Sequence, residues 1–428
     1  MRVLFVHQNF PGQYKDLTRL LASDPKNKVA FITKPNQNRI AGVHKITYQP
    51  ERKPASTTHP YIVGLENGVL HGQAVARVAL DLKKRGFRPD IICGHCGWGE
   101  TLFLKDVYPD VPLINFFEFY YHASGSDVGF DPEYPSTFDN KIRAWMKNTI
   151  NLLSLEACDR GISPTVWQHK QYPLEFQPKI SVIHDGIDTD AVTPDPKAQI
   201  RLPNGRMVRH GDEVVTYVAR NLEPYRGFHI FMRSVEEICH RRPRAEILIV
   251  GGDGVSYGRR PADGQTYREK LLSEVTIDPD RVHFLGRVRY SRFLALLRVS
   301  AVHVYLTYPF VLSWSMLEAM AAGCVIVGSA TPPVEEVIVD GENGLLIDFF
   351  APKEIADRVD AVLDHPDRMA EMRAGARQTI IERYDLRRIC LPRHLKLMQN
   401  LMAGGTVARD AAQRSPQSAK RRSCEGTC

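Results

Sequence analysis

Two arginines, Arg220 and Arg226, stand six positions apart where an apolar strand runs into a glycine-containing turn. A guanidinium can donate two hydrogen bonds to neighbouring phosphate oxygens, and two such groups at one strand-to-helix turn can converge on a diphosphate. Surface arginines that contact only water are the alternative interpretation. Together with the segment described next, the spacing favours a site for a ligand that carries a pyrophosphate.

A second candidate for anion binding lies in the segment Tyr305–Gly344, which the pattern predicts to be strand end, polar loop, helix, strand and turn. We predict a helix from about Ser313 to Ala322, whose first amides lack intrahelical acceptors and whose dipole attracts an anion. Glu318, roughly a turn and a half into that helix, would direct its carboxylate at sugar hydroxyls beside the anion. The residues expected to contact the ligand at the loop and helix start are Leu312, Ser313, Trp314 and Ser315.

A glycine-rich turn follows the predicted strand Ala245–Val250. Gly251, Gly252 and Gly254 would let a nucleotide lie against the backbone, because glycine has no side chain to keep the ligand away. Such a turn carries little information alone, but its position after a strand and before the Glu318 helix strengthens the interpretation. We therefore count Gly251, Gly252 and Asp253 among the candidate ligands.

The elements that must position these groups alternate between strand and helix along the chain. An apolar strand at Met1–His7 precedes a turn with Gly12, a helix and a second strand, and a similar alternation resumes after Glu213. Ligands of doubly wound α/β sheets lie beyond the carboxyl ends of the strands. The pattern predicts two α/β domains that face each other across a cleft.

The run Leu317-Glu318-Ala319-Met320-Ala321-Ala322-Gly323 resembles the donor-binding motif of retaining family-4 glycosyltransferases (glycosyl transferases group 1), which have the GT-B fold. That family has a first glutamate eight positions before the second, where this chain has Phe310. Arg220 matches a family arginine, and Arg226 stands where the family has lysine. The resemblance also implies that backbone groups near Arg287 and Val288 meet the nucleobase.

The resemblance implies a retaining, metal-independent hexosyl transfer from a nucleotide-diphosphate sugar, with no further cofactor. The donor is one expected partner, and a saccharide, lipid-linked or small-molecule acceptor is the other. Arg220 and Arg226 would stabilise the charge that develops on the departing diphosphate. A retaining enzyme of this kind needs no carboxylate nucleophile, because the acceptor can attack the face that the leaving group vacates. Phe310 should therefore change contacts to the sugar without abolishing transfer.

The same resemblance places three positions of the first half at the cleft. Gly12 would allow close approach of a ligand, and a plain tight turn is the equal alternative. Glu118 and His122 follow the predicted strand Leu113–Phe117, and relatives often carry a histidine at the first of these positions. We add both to the candidate catalytic groups, next to the alternative that the aromatic run around them is core and rim.

Length and composition indicate a globular protein of two domains. The chain has 428 residues, of which 43% are hydrophobic and 25% charged. We expect a first domain at 1–192, a donor-binding domain at 193–385, a helix at 386–402 that crosses back to the first domain, and a disordered basic tail at 403–428. No apolar run is long enough to span a bilayer and no secretory signal opens the chain, so the expected location is cytoplasmic.

The net charge of +7 is modest and partly belongs to the tail, so nucleic acid is not an expected partner. The tail would allow a peripheral contact with the inner face of an anionic membrane, although a solvated tail is the preferred interpretation. Cys93-Gly94-His95-Cys96 has the spacing of a zinc half-site, but no second ligand pair matches it. We therefore expect structural thiols and no metal.

Three alternative functions stay open at this point. A GT-B nucleotide-sugar epimerase would share the donor site and release a free sugar nucleotide. A catalytically degenerate relative that binds nucleotide without turnover would fit the loss of the first glutamate. An NAD-linked dehydrogenase is disfavoured, because the first strand is followed by Asn9-Phe10-Pro11-Gly12-Gln13 rather than by a G-x-G-x-x-G turn.

Overall fold

Seven short strands of the first half pair in parallel to form one sheet in the computed structural model, which describes residues 1–413 and the side chains of residues 1–404. The strands are β1 (Arg2–Val6), β2 (Lys28–Thr33), β3 (Val43–Thr47), β4 (Ile91–His95), β5 (Leu113–Phe116), β6 (Arg160–Ser163) and β7 (Ile180–Val182). They lie in the order β3-β2-β1-β4-β5-β6-β7. The central strand β1 is buried except at its first residue, as expected of a parallel strand covered on both faces.

The helices of this first lobe cover both faces of the sheet. They are α1 (Lys15–Ser23), α2 (Val63–Lys84), α3 (Leu104–Val107), α4 (Phe138–Ala157) and α5 (Val166–Lys170). Both α4 and α5 begin after a threonine whose hydroxyl accepts a backbone amide of the first turn, from Asn140 to Thr137 and from Gln168 to Thr165.

The second lobe repeats this plan. A small hairpin, β8 (Gln199–Arg201) with β9 (Met207–Arg209), precedes the strands β10 (Val214–Asn221), β11 (Glu246–Gly252), β12 (Val282–Gly286), β13 (Val302–Tyr305), β14 (Val325–Ser329) and β15 (Leu345–Ile347). These six strands are parallel and lie in the order β12-β11-β10-β13-β14-β15. Each sheet therefore has the doubly wound order, with the reversal beside its first strand, β1 or β10, where ligands bind in such folds. The predicted fold class is confirmed.

The helices of the second lobe are α6 (Phe228–Arg241), α7 (Tyr267–Glu274), α8 (Tyr290–Val299), α9 (Trp314–Ala321), α10 (Pro332–Glu335), α11 (Pro352–Asp364) and α12 (Ala370–Tyr384). The end of α9 follows from its sequence. Gly323 adopts a left-handed φ of +83°, and the amides of Gly323 and Cys324 donate back to Met320 and Ala319. The chain then enters β14 at once, so α9 is fixed behind the sheet.

The last described helix, α13 (Leu391–Gln413), returns to the first lobe. Its Leu391 and Met398 belong to the same apolar cluster as Val3 and Phe5 of β1. A π-helical turn at Leu386–Cys390 leads directly into α13, so helical structure starts at residue 386 and continues beyond the predicted end at residue 402. Of the predicted tail at 403–428, residues 414–428 lie outside the described part of the chain.

The chain crosses between the lobes at two neighbouring points. The Ile187 amide donates to the carbonyl of Tyr384 at 2.8 Å, and the Leu386 amide donates to the carbonyl of Ile187 at 2.9 Å. The segment that leaves the first lobe is therefore paired with the segment that returns to it. The Thr189 hydroxyl donates to the buried carboxylate of Asp385. We call this paired region the covalent seam, because the chain passes from one lobe to the other here.

A second connection is the strap, which we define as residues 123–137. It leaves the first lobe after β5 and lies against the second lobe. At its centre, Asp131 accepts a hydrogen bond from Tyr308 at 2.6 Å and lies 2.9 Å from Nε2 of His229, and all three side chains are buried. Further contacts join Asp127 to Tyr225, Glu133 to Arg233, and Phe130 to Phe349 and Phe350. The strap therefore fastens the lobes together away from the covalent seam.

None of the helices in the described residues is both long and apolar enough to cross a membrane.

Candidate functional site

A cavity of about 410 Å³ opens at the carboxyl ends of β10 and β11 and at the beginning of α9. Six of the predicted ligands line it, namely Arg220, Gly251, Arg287, Val288, Ser313 and Ser315. Tyr290 and Phe293 of α8 add an aromatic wall. Three segments that are far apart in the sequence therefore share one cavity.

Arg226 does not line this cavity but is connected to it through Tyr305. Its Nη1 donates to the Tyr305 hydroxyl at 3.1 Å, to Thr307 Oγ1 at 2.8 Å and to the carbonyl of Val311 at 2.9 Å. The same Tyr305 hydroxyl accepts the amide of Ser313 at 2.8 Å. The Tyr305 hydroxyl thus connects the buried guanidinium of Arg226 to the start of α9.

The first amides of α9 have side-chain acceptors in this structure. The Ser313 amide donates to Tyr305, and the Ser315 amide donates to Ser313 Oγ at 3.3 Å. The sequence predicted unpaired amides here, and the structure shows these two already satisfied. A diphosphate would have to replace neutral hydroxyls at both amides, an exchange that its charge favours.

β11 extends through Gly252, so Gly251 and Gly252 end the strand instead of following it as predicted, and Gly252 is needed for the packing of Arg287. A Cβ added at Gly252 would lie 2.8 Å from Arg287 Nε and from Asn221 Oδ1, which is too close for real atoms. The absence of that atom lets Arg287 Nη2 donate to Asn221 Oδ1 at 3.0 Å. Asp253, by contrast, points to Arg268 at 3.8 Å in an exposed ion pair and does not line the cavity.

Glu318 of α9 is hydrogen-bonded to a tyrosine of α8. The Tyr290 hydroxyl donates to Glu318 Oε1 at 2.7 Å, and Lys15 Nζ of the first lobe lies 5.7 Å from the centre of the Tyr290 ring. Burial raises the pKa of Glu318 to about 7, against the opposing effects of the Tyr290 hydrogen bond and the Lys15 charge. The carboxyl group is therefore poised between its two protonation states near neutral pH.

Phe310, at the position of the family's first glutamate, is buried in an aromatic cluster that spans both lobes. Its ring lies 4.6 Å from Phe119 of the first lobe, 5.0 Å from Tyr257 and 5.5 Å from Tyr225, measured between ring centres. Edge-to-face contacts of this kind stabilise buried aromatic groups. The position of the missing carboxylate is therefore occupied by an interface contact.

Glu118 follows β5 and contacts two side chains of the first lobe. Its Oε2 lies 3.6 Å from His95 Nε2, and its Oε1 accepts a long hydrogen bond of 3.5 Å from Gln13. Burial opposes ionisation of Glu118, but the His95 contact and the positive charges of Arg220 and Arg226 outweigh it and lower the pKa. Glu118 is therefore ionised at neutral pH and senses the cations of the opposite lobe.

The loop after β1 orients the Gln13 side chain. Gly12 has a left-handed φ of +56°, and an added Cβ would lie 2.6 Å from His7 Nε2. His7 Nδ1 accepts the Asn9 amide, so Nε2 carries the proton and donates to Gln13 Oε1 at 2.6 Å. Burial lowers the pKa of His7 to about 3, which keeps the ring neutral. The amide of Gln13 is thereby turned with its NH₂ group towards Glu118.

Trp314, the first residue of α9, contacts the first lobe directly. Its indole Nε1 donates to Asp185 Oδ2 at 3.0 Å. Burial, with a smaller contribution from the charge of Glu118, raises the pKa of Asp185 to about 8 despite that hydrogen bond. Asp185 was not among the predicted site residues.

Two further predicted residues lie outside the cavity. His122 Nε2 donates to the backbone carbonyl of Gln171 at 3.0 Å, a hydrogen bond that stabilises the first lobe. Leu312 is buried in the apolar cluster beneath α9, next to Met316. His122 therefore has a structural hydrogen bond, and Leu312 is a core residue.

The site also contains groups that the sequence did not single out, chiefly Tyr290, Tyr305 and Asp185. Asp185 follows β7, so the rule that selected Glu118 at the end of β5 could also have selected it. Tyr305 ends β13 by the same rule. Tyr290 has no such signal, because its role depends on the packing of α8 against α9.

Neither predicted thiol has a metal-binding arrangement. Cys93 and Cys96 are buried, and Cys96 Sγ donates to the carbonyl of Phe116 at 3.2 Å. Among the side chains that the structure describes, those of residues 1–404, no three from His, Cys, Asp or Glu are grouped as a metal site.

Two family models match this chain, one for each lobe. Residues 25–192 match the glycosyl transferase family 4 group, and residues 204–379 match the glycosyl transferases group 1. Among curated relatives, the D-inositol 3-phosphate glycosyltransferase of Mycobacteroides abscessus is 28% identical over 43% of this chain and 39% of its own length. That of Corynebacterium efficiens is 29% identical over 45% of each chain. The matches thus span less than half of these relatives.

Solved structures share the whole architecture at low sequence identity. The sucrose-phosphate synthase of Thermosynechococcus elongatus has a TM-score of 0.72 and 16% identity, covering 94% of this chain and 100% of that one. Anabaena HepE, solved in complex with UDP and glucose, has a TM-score of 0.65 and 16% identity, covering 93% and 100%. At such identities the likeness concerns the fold.

Proposed function

The chain belongs to the group 1 glycosyltransferases of family 4 and has the GT-B fold, and from this premise we propose that it transfers a sugar from a nucleotide-diphosphate donor to an acceptor. The observation that supports this most directly is the cavity of the second lobe that three separate segments line together. Arg220, Gly251 near the end of β11 and Ser313 at the start of α9 line it together. Such a combination of cation, exposed backbone and helix terminus suits a diphosphate.

The proposed chemistry depends on charge that develops in the transition state. As the bond to the anomeric carbon breaks, negative charge accumulates on the β-phosphate of the leaving diphosphate. Arg220 would meet that charge in the cavity, and Arg226 would stabilise it through its position beside α9. Glu318 would accept hydrogen bonds from the ribose hydroxyls.

The first lobe would supply the acceptor side. Glu118 is ionised under the influence of the positive charges of Arg220 and Arg226, so it can accept a hydrogen bond from an acceptor hydroxyl. We propose retention of configuration, with the acceptor attacking the face that the diphosphate leaves. We also propose that no metal is needed, because arginines and helix amides compensate the phosphate charge.

The acceptor is proposed at the level of class: a saccharide, a lipid-linked sugar or a small polyol. The curated relatives are named D-inositol 3-phosphate glycosyltransferases, which makes a phosphorylated polyol one compound to test. For the donor, HepE binds UDP-glucose in one solved structure, which makes uridine diphosphate sugars the first donors to test.

A nucleotide-binding relative without transferase activity is the second candidate, and Phe310 is the observation that favours it. The family's first glutamate is absent, and its place is closed by contacts with Phe119 and Tyr257. The two candidates differ in turnover and not in donor binding.

The test is a thermal-shift screen with UDP, GDP, ADP and their common sugars, followed by a turnover assay with the stabilising donor. Ligands that bind the native state raise the melting temperature. Transfer to any member of an acceptor panel supports the transferase. If the donor binds but is neither transferred to any acceptor nor hydrolysed, the second candidate is favoured. Release of an altered sugar nucleotide would instead indicate the epimerase. Absence of any nucleotide-dependent shift contradicts both nucleotide-binding proposals.

A further inference from the structure

One side chain of the cavity wall is bonded to the carboxylate that we propose as the ribose ligand. The Tyr290 hydroxyl donates to Glu318 Oε1 at 2.7 Å, and Tyr290 lines the cavity together with Arg287 and Ser315. Tyr290 begins α8, lines the cavity itself, and is half exposed. The tyrosine is therefore placed between the cavity and the carboxylate.

The Tyr290 hydroxyl and a ribose diol offer the same chemistry to Glu318. Each presents O–H donors to a carboxylate, and a largely desolvated carboxylate needs such donors. Tyr290 supplies one donor, whereas a vicinal diol supplies two that can reach both carboxylate oxygens. A nucleotide can therefore compensate Glu318 fully for the tyrosine that it replaces.

The position of Tyr290 is also connected to the first lobe. Lys15 Nζ lies over its ring at 5.7 Å, and the charge of Lys15 acts on Glu318 as well. Because α8 and α9 belong to the second lobe and Lys15 to the first, these three side chains meet across the cleft. Displacement of Tyr290 by a nucleotide would alter a contact between the lobes.

We infer that Tyr290 is a donor-specificity residue whose hydroxyl occupies the position of the ribose diol on Glu318 and gives it up when a nucleoside diphosphate binds. The inference deepens the proposed function and rests on it. It predicts that the ligand must have a vicinal diol to bind well, since a ligand without one cannot replace the tyrosine's hydrogen bond.

The test measures binding of a nucleoside diphosphate and of its 2′,3′-dideoxy form to the wild-type chain and to Tyr290→Phe by titration calorimetry at pH 8. The probe is whichever of UDP, GDP and ADP stabilises the wild-type chain most. Removing the competing hydroxyl should tighten the binding of the diol-bearing ligand by roughly tenfold to a hundredfold, which is the value of one net hydrogen bond to a charged group. The dideoxy ligand should bind both proteins equally.

Tyr61→Phe is the matched control. The Tyr61 hydroxyl donates to Asp139 at 2.6 Å on the surface of the first lobe, so its loss removes the same kind of bond far from the cavity. The affinity of this control for the diphosphate should equal that of the wild type.

The outcomes separate the inference from the function beneath it. Equal affinity of wild type and Tyr290→Phe for the diol-bearing ligand, or equal tightening of the dideoxy ligand, overturns the role of Tyr290 alone. Failure of all three diphosphates to bind the wild-type chain and Tyr290→Phe overturns the proposed function and this inference together. A melting temperature of Tyr290→Phe close to the wild type shows that the fold is retained.

Discussion

Trp314 and Asp185 form a hydrogen bond of 3.0 Å between the two lobes, from the indole Nε1 of one to the carboxyl Oδ2 of the other. The tryptophan is the first residue of α9, and the aspartate follows the last strand of the first sheet. The orientation of the donor-site helix is therefore set partly by the lobe that would hold the acceptor.

Trp314→Phe should weaken donor binding. The phenyl ring keeps most of the apolar contact but removes the N–H group, so Asp185 loses its hydrogen-bond donor. A threefold to tenfold rise in the dissociation constant, or roughly 1 kcal/mol, is expected from the loss of one such bond. Isothermal titration measures it. Trp145→Phe, at an exposed position of α4, is the matched control and should leave the affinity unchanged.

Arg226→Ala should lower both donor affinity and turnover. The substitution removes a buried cation and leaves the oxygens of Tyr305, Thr307 and Val311 without their donor. Loss of a transition-state donor typically costs about 10²–10³ in kcat. Unchanged steady-state kinetics would exclude Arg226 from the site. Arg244→Ala is the control, since that exposed side chain pairs with Glu213 far from the cavity.

Nucleotide affinity should rise as the pH passes through about 7. The raised pKa of Glu318 means that the carboxyl group is protonated below this value and ionised above it. The ionised form accepts hydrogen bonds from two ribose hydroxyls, so binding strengthens with pH and then levels off. Titrations between pH 6 and pH 9 measure the effect.

Glu318→Gln should bind more weakly and should lose that pH dependence. A pH profile that is the same in wild type and Glu318→Gln would assign the titration to another group. Asp185, with its pKa of about 8, is the first to examine, through Asp185→Asn.

Phe310→Ala should destabilise the protein without creating a new ligand group. The Phe310 side chain is 5% exposed and contacts aromatic rings of both lobes, so its truncation leaves a cavity at the interface. Comparable substitutions cost about 3–5 kcal/mol in the free energy of unfolding. Chemical denaturation measures it. Phe138→Ala is the matched control, because that ring is 74% exposed and should change stability by less than about 0.5 kcal/mol. Equal effects of the two substitutions would show that the interface cluster contributes little.

The sequence predicted the architecture because strand and helix periodicities are local properties. The buried runs of β1 and β10 indicate parallel strands, and the small-residue end of α9 predicts the turn at Gly323. The cavity was predicted through Arg220 and Ser313, since residues after parallel strands meet at one edge of a sheet.

The remaining features depend on contacts between distant segments. His122 and Glu118 look alike in the sequence, since both follow β5, but only tertiary packing brings His122 to the carbonyl of Gln171 and Glu118 to His95. Phe310 could be recognised as a departure from the family motif, yet its partner Phe119 comes from the other lobe. Side-chain direction at a lobe interface is set by the partner lobe, which a local pattern does not describe.

The strap restricts the movement of the two lobes relative to each other. Two lobes that are joined at a single hinge can rotate apart about it. In this protein the lobes are held at two separate places, the paired crossing at Ile187 and the contacts of Asp131. An opening that moves the strap away from the second lobe would expose the buried Asp131–His229 pair to water. We therefore expect substrates to enter and leave through small movements of the lobes while the strap stays docked.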